Sequence, residues 1–385
     1  MTQELYSFFL VTAPGLEQLA LDEWSQKSRY LREIYPDLMS KEEDIYPRIV
    51  TGGVELFLKE QEGWILNHYL RIPTRILQRL VTFQCRNYER LEAKVRHLEW
   101  HHYLRQGEVE VHPSYHRSYL NMKKRIQEEV QKGLAHFERH QAFRKVHLDE
   151  PQGIYVRIVN NEATISLDTS GNLLHRRGYK TNTVEAPVRE TLGAALYWMC
   201  YQELGGVPEI ILDPMAGSGT LVMEPMIFWS SWRRRNFAYQ NFPCASKRLS
   251  VETTQALPPI ETMPRLLAGD TSEKATSALK ENFSALAKKE KWNIDIRQGD
   301  WLDVWAENEL AGQGLMLLNP PYNLRLEADQ EALAQQLQSF VKKVRPSLVG
   351  VIWPGRKLPV IEGKWVQHVT TTNGGVPVSL GVLRP

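Results

Sequence analysis

Short runs with strand character recur in the second half of the chain, and each ends at an acidic or amide side chain. The runs occupy residues 209–213, 266–270, 294–300 and 315–319. Three of them, 209–213, 266–270 and 315–319, are mostly apolar before their last residue, which is typical of strands buried on both faces of a sheet. A stretch with helical spacing, residues 272–289, separates two of them. This order predicts an α/β fold with a doubly wound, largely parallel sheet.

The first half of the chain has a different pattern, in which amphipathic helices mix with short strands. The pair Asn160–Asn161 lies between two apolar runs and is typical of a β-hairpin turn. The predicted elements are, in order, a strand 6–12, a helix 15–26, a strand signal 49–58 broken at Gly52–Gly53, helices 64–71 and 87–98, a strand 108–112, a helix 119–139, and a hairpin of 154–158 with 163–167. We therefore expect an α+β domain in this half.

A turn at residues 168–172 separates the two patterns. We place a domain boundary there, which gives domains over residues 1–170 and 171–385. The chain of 385 residues is long enough for two independent cores. In the second domain the strand that should follow the first helix is delayed, so residues 228–264 are predicted to be an insertion.

A glycine-rich turn follows the run that ends at Asp213. Gly217 and Gly219 allow the backbone to pass close to a ligand, and the helix expected to begin near Thr220 offers free N–H groups. Asp213 stands four residues before the first of these glycines, which departs from the dinucleotide fingerprint. An acidic side chain at this place favours a cationic ligand over a pyrophosphate.

The run that ends at Leu318 is followed by Asn319, Pro320, Pro321 and Tyr322. Two consecutive prolines cannot donate to a sheet ladder, so the strand must end in a stiff turn. The amide oxygen of Asn319 and the carbonyl oxygen of Pro320 are then fixed acceptors for the two hydrogens of an exocyclic amine. The Tyr322 ring is suited to stack on the base that carries the amine. Pro-Pro-Tyr also occurs in ordinary loops and in proline-rich ligand segments, so the pairing of this segment with the glycine-rich turn carries the functional interpretation.

The pairing of these two segments resembles amino-group methyltransferases that use S-adenosylmethionine. More narrowly, the chain resembles the RNA guanine-N2 methyltransferases that carry a THUMP domain, and among them the bacterial enzymes acting on 23S ribosomal RNA. The likeness covers nearly the whole chain. It extends to residues 8–17, 174–179, 185–187, 189–192, 237–242 and 373–375.

The resemblance implies a Rossmann-like, S-adenosylmethionine-dependent methyltransferase domain preceded by an α+β THUMP domain that binds RNA. It implies that Asn319, Pro320, Pro321 and Tyr322 form the catalytic segment. Asp270 is expected to bind the ribose hydroxyls, and Asp300 is expected to accept from the adenine amino group. The implied cofactor-binding residues are Asp213, Pro214, Ala216, Gly217, Ser218, Gly219, Thr220, Asp270, Asp300, Trp301, Glu190 and Thr191. For Glu190 and Thr191, an ordinary place in the first turn of a helix is an equal alternative.

The expected substrate is RNA, which requires basic residues gathered in patches because the net charge is only +2. Solvated helix faces and, in the insertion, a buried aromatic brace are the alternative interpretations. The candidate RNA-binding residues are Lys123, Lys124, Arg125, Arg144, Lys145, Arg233 and Arg234.

Composition excludes several other classes. No apolar run approaches the roughly 18 residues of a membrane helix, and residues 8–13 are too short for a signal peptide. The three cysteines are isolated, which argues against a disulfide framework and favours the cytoplasm. Eight of the eleven histidines lie between His97 and His147, but no ligand spacing accompanies them, so no metal is expected.

The sequence therefore predicts methylation of the N2 amine of a guanine in 23S ribosomal RNA, with S-adenosyl-L-methionine as the cofactor. The alternatives are the same reaction on transfer RNA, adenine-N6 methylation of DNA or RNA, and an RNA-binding protein without catalysis. Since the chain ends at Pro385, soon after the last expected strand, a single activity is expected.

Overall fold

The computed structural model describes residues 4–104, 109–140, 151–181, 188–230, 236–245, 257–258, 263–287, 292–321 and 327–385. The side chains of residues 138–140 and 327–328 lie outside this description. Within it, the chain forms two seven-stranded sheets. The first uses residues 6–168 and the second uses residues 210–384.

The first sheet is mixed and carries its helices between its strands. Its strands are β1 (Tyr6–Val11), β2 (Arg48–Val50), β3 (Gly53–Leu58), β4 (Arg75–Gln84), β5 (Val109–His116), β6 (Gln152–Val159) and β7 (Glu162–Asp168). Its helices are α1 (Glu17–Ile34), α2 (Glu60–Tyr69), α3 (Tyr88–Arg96) and α4 (Lys123–His140). The strand order is β2-β3-β1-β4-β7-β6-β5, and β5 with β6 is its parallel pair. The expected α+β architecture is confirmed.

The second sheet has the doubly wound form that the sequence predicts. Its strands are β8 (Ile210–Asp213), β9 (Arg265–Asp270), β10 (Ile294–Gln298), β11 (Gly314–Leu318), β12 (Leu348–Pro354), β13 (Lys364–Asn373) and β14 (Val376–Arg384). Its helices are α5 (Glu190–Leu204), α6 (Thr220–Phe228), α7 (Glu273–Ala287), α8 (Trp301–Val304) and α9 (Glu327–Val344). The order is β10-β9-β8-β11-β12-β14-β13; the first five are parallel and β14 is antiparallel to both of its neighbours.

The hairpin of the first sheet is confirmed, but its central strand β4 was missed. Asn160 and Asn161 join β6 to β7 with φ of 51° and 65°, the left-handed conformation that asparagine tolerates. The pairing of β4 with β7 shifts register between Arg79 and Val81. Such an irregularity interrupts the regular alternation of inward and outward residues. The sequence of β4 therefore lacks the alternating pattern that predicts a strand.

Two further predictions need correction. The helix expected at 119–139 begins at Lys123, so Tyr119 precedes it. The first part of the predicted insertion, residues 228–230, continues the end of α6. The described residues 236–245 form a buried aromatic brace: Tyr239 stacks on Trp64 of α2 at 5.7 Å between ring centroids, and its hydroxyl lies 2.7 Å from Nε2 of His68.

Arg71 and Arg177 join the two sheets in the interior. Arg71, directly after α2, donates to the carbonyl oxygens of Ile227 (3.1 Å) and Ser230 (2.5 Å) at the end of α6. Arg177 binds Glu224 of α6 with two hydrogen bonds of 3.3 and 3.1 Å and donates to the carbonyl oxygen of Arg71 at 2.6 Å. Arg71 therefore binds carbonyl groups at a helix end, where the regular helical hydrogen bonds stop.

Gly15, in the loop after β1, is a second point of contact between the sheets. Its φ is +86°, and a methyl group added there would collide with the carbonyl oxygen of Thr370 in β13. Only glycine fits both the backbone conformation and this approach.

We predict that Gly15→Ala destabilises the protein by roughly 2–4 kcal/mol, because left-handed strain adds to overpacking. Gly205→Ala is the matched control, since Gly205 has φ +72° and open space around it. The control should lose only roughly 1–2 kcal/mol from backbone strain. Calorimetric melting of both variants measures the difference, and equal losses would show that the contact with β13 contributes nothing.

Candidate active site

The second sheet has a topological switch point between β8 and β11. From β8 the chain continues to β9 and β10 on one side, whereas β11 and β12 lie on the other. The pairing of Met316 with Leu212 places the carboxyl ends of the two strands at the same edge. Asp213 is the last residue of β8 and Asn319 directly follows β11. Ligands of such sheets bind in the crevice at this point.

The glycine-rich turn folds over the end of β9. The N–H of Ala216 donates to the carbonyl oxygen of Gly269 at 2.8 Å, and Gly217 and Gly219 have φ of 53° and 91°. Gly219 is the N-cap of α6 and offers no side-chain acceptor to the first N–H groups of the helix. A Cβ at Gly219 would lie 2.5 Å from Cε of Met223 and 3.2 Å from Cγ of Leu279. Glycine is therefore favoured here by the left-handed backbone and by the close packing of the turn against Met223 and Leu279.

Asp213 is a buried carboxyl group without a basic partner among the described residues. Its side chain is 1% exposed, and its Oδ1 accepts from the N–H of Met215 at 3.1 Å. Burial raises the pKa of Asp213 well above its usual range; the Met215 bond lowers it less, and the charge of Asp270 raises it further. A cationic ligand would stabilise the ionised form. S-adenosylmethionine, with its ammonium and sulfonium groups, fits this requirement.

Asp270 ends β9 and is bound to the backbone of the crevice. Its Oδ2 accepts from the N–H of Gly217 at 2.9 Å, and its Oδ1 accepts from the N–H of Ser272 at 2.9 Å. Each carboxylate oxygen can accept a further hydrogen bond. Asp270 is partly exposed, so its carboxylate is accessible to a ligand. Its role as acceptor for ribose hydroxyls stays a prediction.

The prediction that Asp300 ends β10 is wrong. The strand ends at Gln298, and exposed Asp300 is the N-cap of α8, where Oδ1 accepts from the N–H of Leu302 at 2.9 Å. Trp301 is 7% exposed and packs on Phe340 with 4.7 Å between ring centroids. Both remain predicted cofactor residues, although most of the Trp301 ring is used for packing.

The side chains at the start of α5 are buried. Glu190 is 7% exposed and pairs with Nζ of Lys180 at 3.1 Å, and Thr191 is 1% exposed. Glu190 thus has an ordinary electrostatic partner within the chain. Its role toward the methionine part of a cofactor stays a prediction.

The catalytic segment is described as far as Pro321. Asn319 is half-buried, Pro320 is buried and Pro321 is exposed, so the strand ends at the surface of the crevice. Tyr322 lies outside the described residues.

Only three of the seven candidate RNA-binding residues lie within the described residues. Lys123, Lys124 and Arg125 are exposed in the first turn of α4, and the guanidinium of Arg125 lies 4.0 Å from the ring centre of Tyr88. The other four candidates lie outside the described residues. They are Arg144, Lys145, Arg233 and Arg234.

Asn282 on α7 is a site residue that the sequence analysis missed. It is fully buried and donates from Nδ2 to the carbonyl oxygen of Ser218 at 3.1 Å, inside the glycine-rich turn. The available signal was its spacing, because Asn282 follows Ala275 and Leu279 on the apolar stripe of the helix. A polar side chain on such a stripe needs buried partners.

Residues 177–357 match the family model UPF0020, described as "RMKL-like, methyltransferase domain". This part of the chain therefore resembles a methyltransferase domain. The match includes Asp213, the glycine-rich turn and Asn319.

Two relatives extend the likeness. Ribosomal RNA large subunit methyltransferase K/L of Acinetobacter baumannii is 30% identical over 254 residues, which are 60% of this chain and 34% of that protein. A protein of Synechocystis sp., provisionally named as an RNA methyltransferase, is 24% identical over 97% of this chain and 95% of its own length. The chain thus spans about a third of the first relative and nearly all of the second.

Solved structures share the fold over the whole chain. A possible methylase from Clostridium difficile superposes with a TM-score of 0.74 at 20% identity, covering 99% of this chain and 98% of that one. A provisionally assigned methyltransferase complexed with SAH has a TM-score of 0.70 at 18% identity, covering 100% and 99%.

Two further features are absent from the part of the chain that the structure describes. No group of three or more histidine, cysteine or acidic side chains there is placed to hold a metal ion. Nor does any helix in those ranges have the length and apolar character needed to cross a membrane.

We predict that binding of S-adenosylmethionine releases a proton from Asp213. A positive group beside a buried carboxyl lowers its pKa, so the ionised form binds the ligand more tightly. Burial raises the pKa of Asp213 in the free protein. The affinity for S-adenosylmethionine should therefore increase as the pH rises through this raised pKa and level off above it. Calorimetry in buffers of different ionisation enthalpy measures the proton release.

Asp213→Asn should bind more weakly and release no proton at this position. Asp300→Asn, at an exposed acid of the same sheet edge, is the control and should keep the release. An unchanged release from Asp213→Asn would assign the proton to another group.

Proposed function

We propose that the chain is an S-adenosylmethionine-dependent RNA methyltransferase that modifies the exocyclic N2 amine of a guanine in 23S ribosomal RNA. The observation that carries the proposal is the crevice between β8 and β11. There a buried carboxyl group without a basic partner among the described residues, Asp213, ends one strand, and the amide of Asn319 follows the other. The methyltransferase family match over these residues supports the same activity.

The cofactor is held, in this proposal, by the glycine-rich turn and the acidic groups at the strand ends. The N–H groups at the start of α6 face the ligand, Asp213 balances its positive charge and Asp270 accepts from the ribose hydroxyls. Asp300 accepts from the adenine amine. When bound, S-adenosylmethionine supplies a methyl group on a sulfonium, ready for in-line displacement.

Asn319 and Pro320 position the acceptor amine. The exocyclic amine of guanine is a poor nucleophile because its lone pair is shared with the ring. The amide oxygen of Asn319 and the carbonyl oxygen of Pro320 hold the two amine hydrogens, direct the lone pair toward the methyl group and stabilise the developing positive charge. Tyr322 stacks on the base, which must be unpaired or flipped out of a helix to enter the crevice.

The first domain supplies the RNA contacts in this proposal. Lys123, Lys124 and Arg125 form an exposed basic turn at the start of α4, where the positive end of the helix dipole adds to their charge. Such residues contact phosphates, so they give affinity without sequence specificity. We assign this sheet and its helices to the THUMP class of RNA-binding domains and the protein to the cytoplasm.

The choice of 23S RNA rests on the name of the Acinetobacter relative, a ribosomal RNA large subunit enzyme. Transfer RNA is the second candidate, because the chemistry at Asn319 is the same for either RNA. Adenine-N6 methylation is also compatible with an Asn-Pro-Pro-Tyr segment. An RNA-binding protein without catalysis would not need the buried Asp213.

We predict that Asn319→Ala lowers turnover by about 10²–10³-fold, since one transition-state acceptor is removed, while the affinity for S-adenosylmethionine stays nearly unchanged. Labelled cofactor with RNA from cells that lack the protein measures turnover, and calorimetry measures binding. Asn293→Ala, at an asparagine before β10, is the control. Collapse of cofactor binding, with normal turnover per bound complex, would remove Asn319 from the acceptor site.

We predict that replacing Lys123, Lys124 and Arg125 by alanine weakens RNA binding and flattens its dependence on salt, because fewer counterions are released. The slope of log K against log salt should fall by about 0.7–0.9 for each phosphate that the variant no longer neutralises. Fluorescence anisotropy over a salt series measures it.

A control variant removes three exposed lysines that lie outside α4. Lys41 lies before β2, and Lys342 and Lys364 lie near the amino edge of the second sheet. This control should keep the wild-type slope. If both triple variants change the slope equally, binding follows net charge and α4 has no special role.

A further inference from the structure

Asn282 connects two segments that border the proposed cofactor crevice. Its Nδ2 donates to the carbonyl oxygen of Ser218 at 3.1 Å. Its Oδ1 accepts from the N–H of Thr181 at 2.9 Å and from the Thr181 hydroxyl at 3.3 Å. The side chain is fully buried. One amide therefore holds the glycine-rich turn and the segment that precedes α5 at a fixed separation.

The orientation of the amide is determined by its partners. A backbone N–H lies on one side and a backbone carbonyl oxygen on the other. Rotating the amide by 180° would place its NH₂ next to the N–H of Thr181 and its oxygen next to the carbonyl oxygen of Ser218. Only one arrangement satisfies both segments, and an apolar residue of similar size would leave both backbone groups without this partner.

Both segments are anchored elsewhere in the protein. Ser218 belongs to the turn that Asp270 holds through Gly217. Thr181 follows Tyr179, whose hydroxyl donates to Glu224 at 3.0 Å. Asn282 joins these two anchored segments from the side of α7.

We propose that Asn282 is a positioning residue for the methyl donor: it fixes the glycine-rich turn relative to the 174–181 segment and so preforms the cofactor crevice. This inference rests on the proposed function as far as the identity of the cofactor is concerned. Asn282 acts through the backbone of Ser218 and Thr181 and does not touch the reacting atoms.

The test is the affinity for S-adenosylmethionine of Asn282→Asp as a function of pH, measured by calorimetry without RNA. A protonated aspartic acid can donate to Ser218 and accept from Thr181, as the amide does. The carboxylate can only accept, and it faces the carbonyl oxygen of Ser218. Relative to wild type at each pH, affinity should be near normal at low pH and fall on the order of tenfold once the acid ionises. Asn282→Leu should be weak at every pH.

Asn67→Asp is the matched control for burial. Asn67 is 2% exposed, and its Nδ2 donates to the carbonyl oxygen of Trp64 and to Oγ1 of Thr169, both at 3.0 Å. Its Oδ1 accepts from the hydroxyl of Ser170 at 2.6 Å. The control should lower the melting temperature in a comparable way and leave cofactor affinity unchanged, because its partners belong to α2 and to the segment directly after β7.

Four outcomes would overturn the inference. Wild-type affinity of Asn282→Asp at high pH would show that the connection is not needed. A loss that does not recover at low pH, or one that Asn67→Asp shares, would assign Asn282 to general stability. A wild-type protein that binds no S-adenosylmethionine would instead remove the proposed function, and this inference with it.

Discussion

The Arg177–Glu224 ion pair is the constraint on which the arrangement of the two sheets depends. Both groups are buried, and Arg177 also donates to the carbonyl oxygen of Arg71 in the first half of the chain. Removing one partner of such a pair costs roughly 3–5 kcal/mol, because the other charge is left buried and uncompensated. Glu224 lies on α6, the helix that begins at the glycine-rich turn. The contact between sheets and the candidate site therefore share one helix.

This arrangement explains why the crevice can be preformed. One end of α6 is fixed by Arg71, its middle by Arg177, and the turn before it by Asp270 and Asn282. A cationic ligand then meets a carboxyl group already held in place, so little ordering free energy is spent on binding. The first sheet, with its exposed basic turn on α4, is held by the same contacts that hold α6.

The elements with strong local signals could be predicted from the sequence. The buried strands, the glycine-rich turn and the Asn160–Asn161 hairpin each follow from backbone preferences of a few residues. Long-range partners could not be predicted: Arg177 resembles any basic loop residue until Glu224 is folded against it. Strand β4 was not predicted, because its register shift breaks the alternating pattern. The end of β10 was predicted wrongly, because Asp300 caps α8 instead of ending the strand. Asn282 had a signal in its spacing, but its partners are defined only by the fold.

The most direct measurement of the central claim is the identity of the methylated nucleoside. The protein is incubated with labelled S-adenosylmethionine and RNA from cells that lack it; ribosomal and transfer RNA are separated and digested, and the labelled nucleoside is identified by mass. We predict N2-methylguanosine in 23S RNA. Label in transfer RNA would change the substrate and keep the chemistry at Asn319. N6-methyladenosine, or no label in any RNA, would show that the protein is not a guanine-N2 methyltransferase.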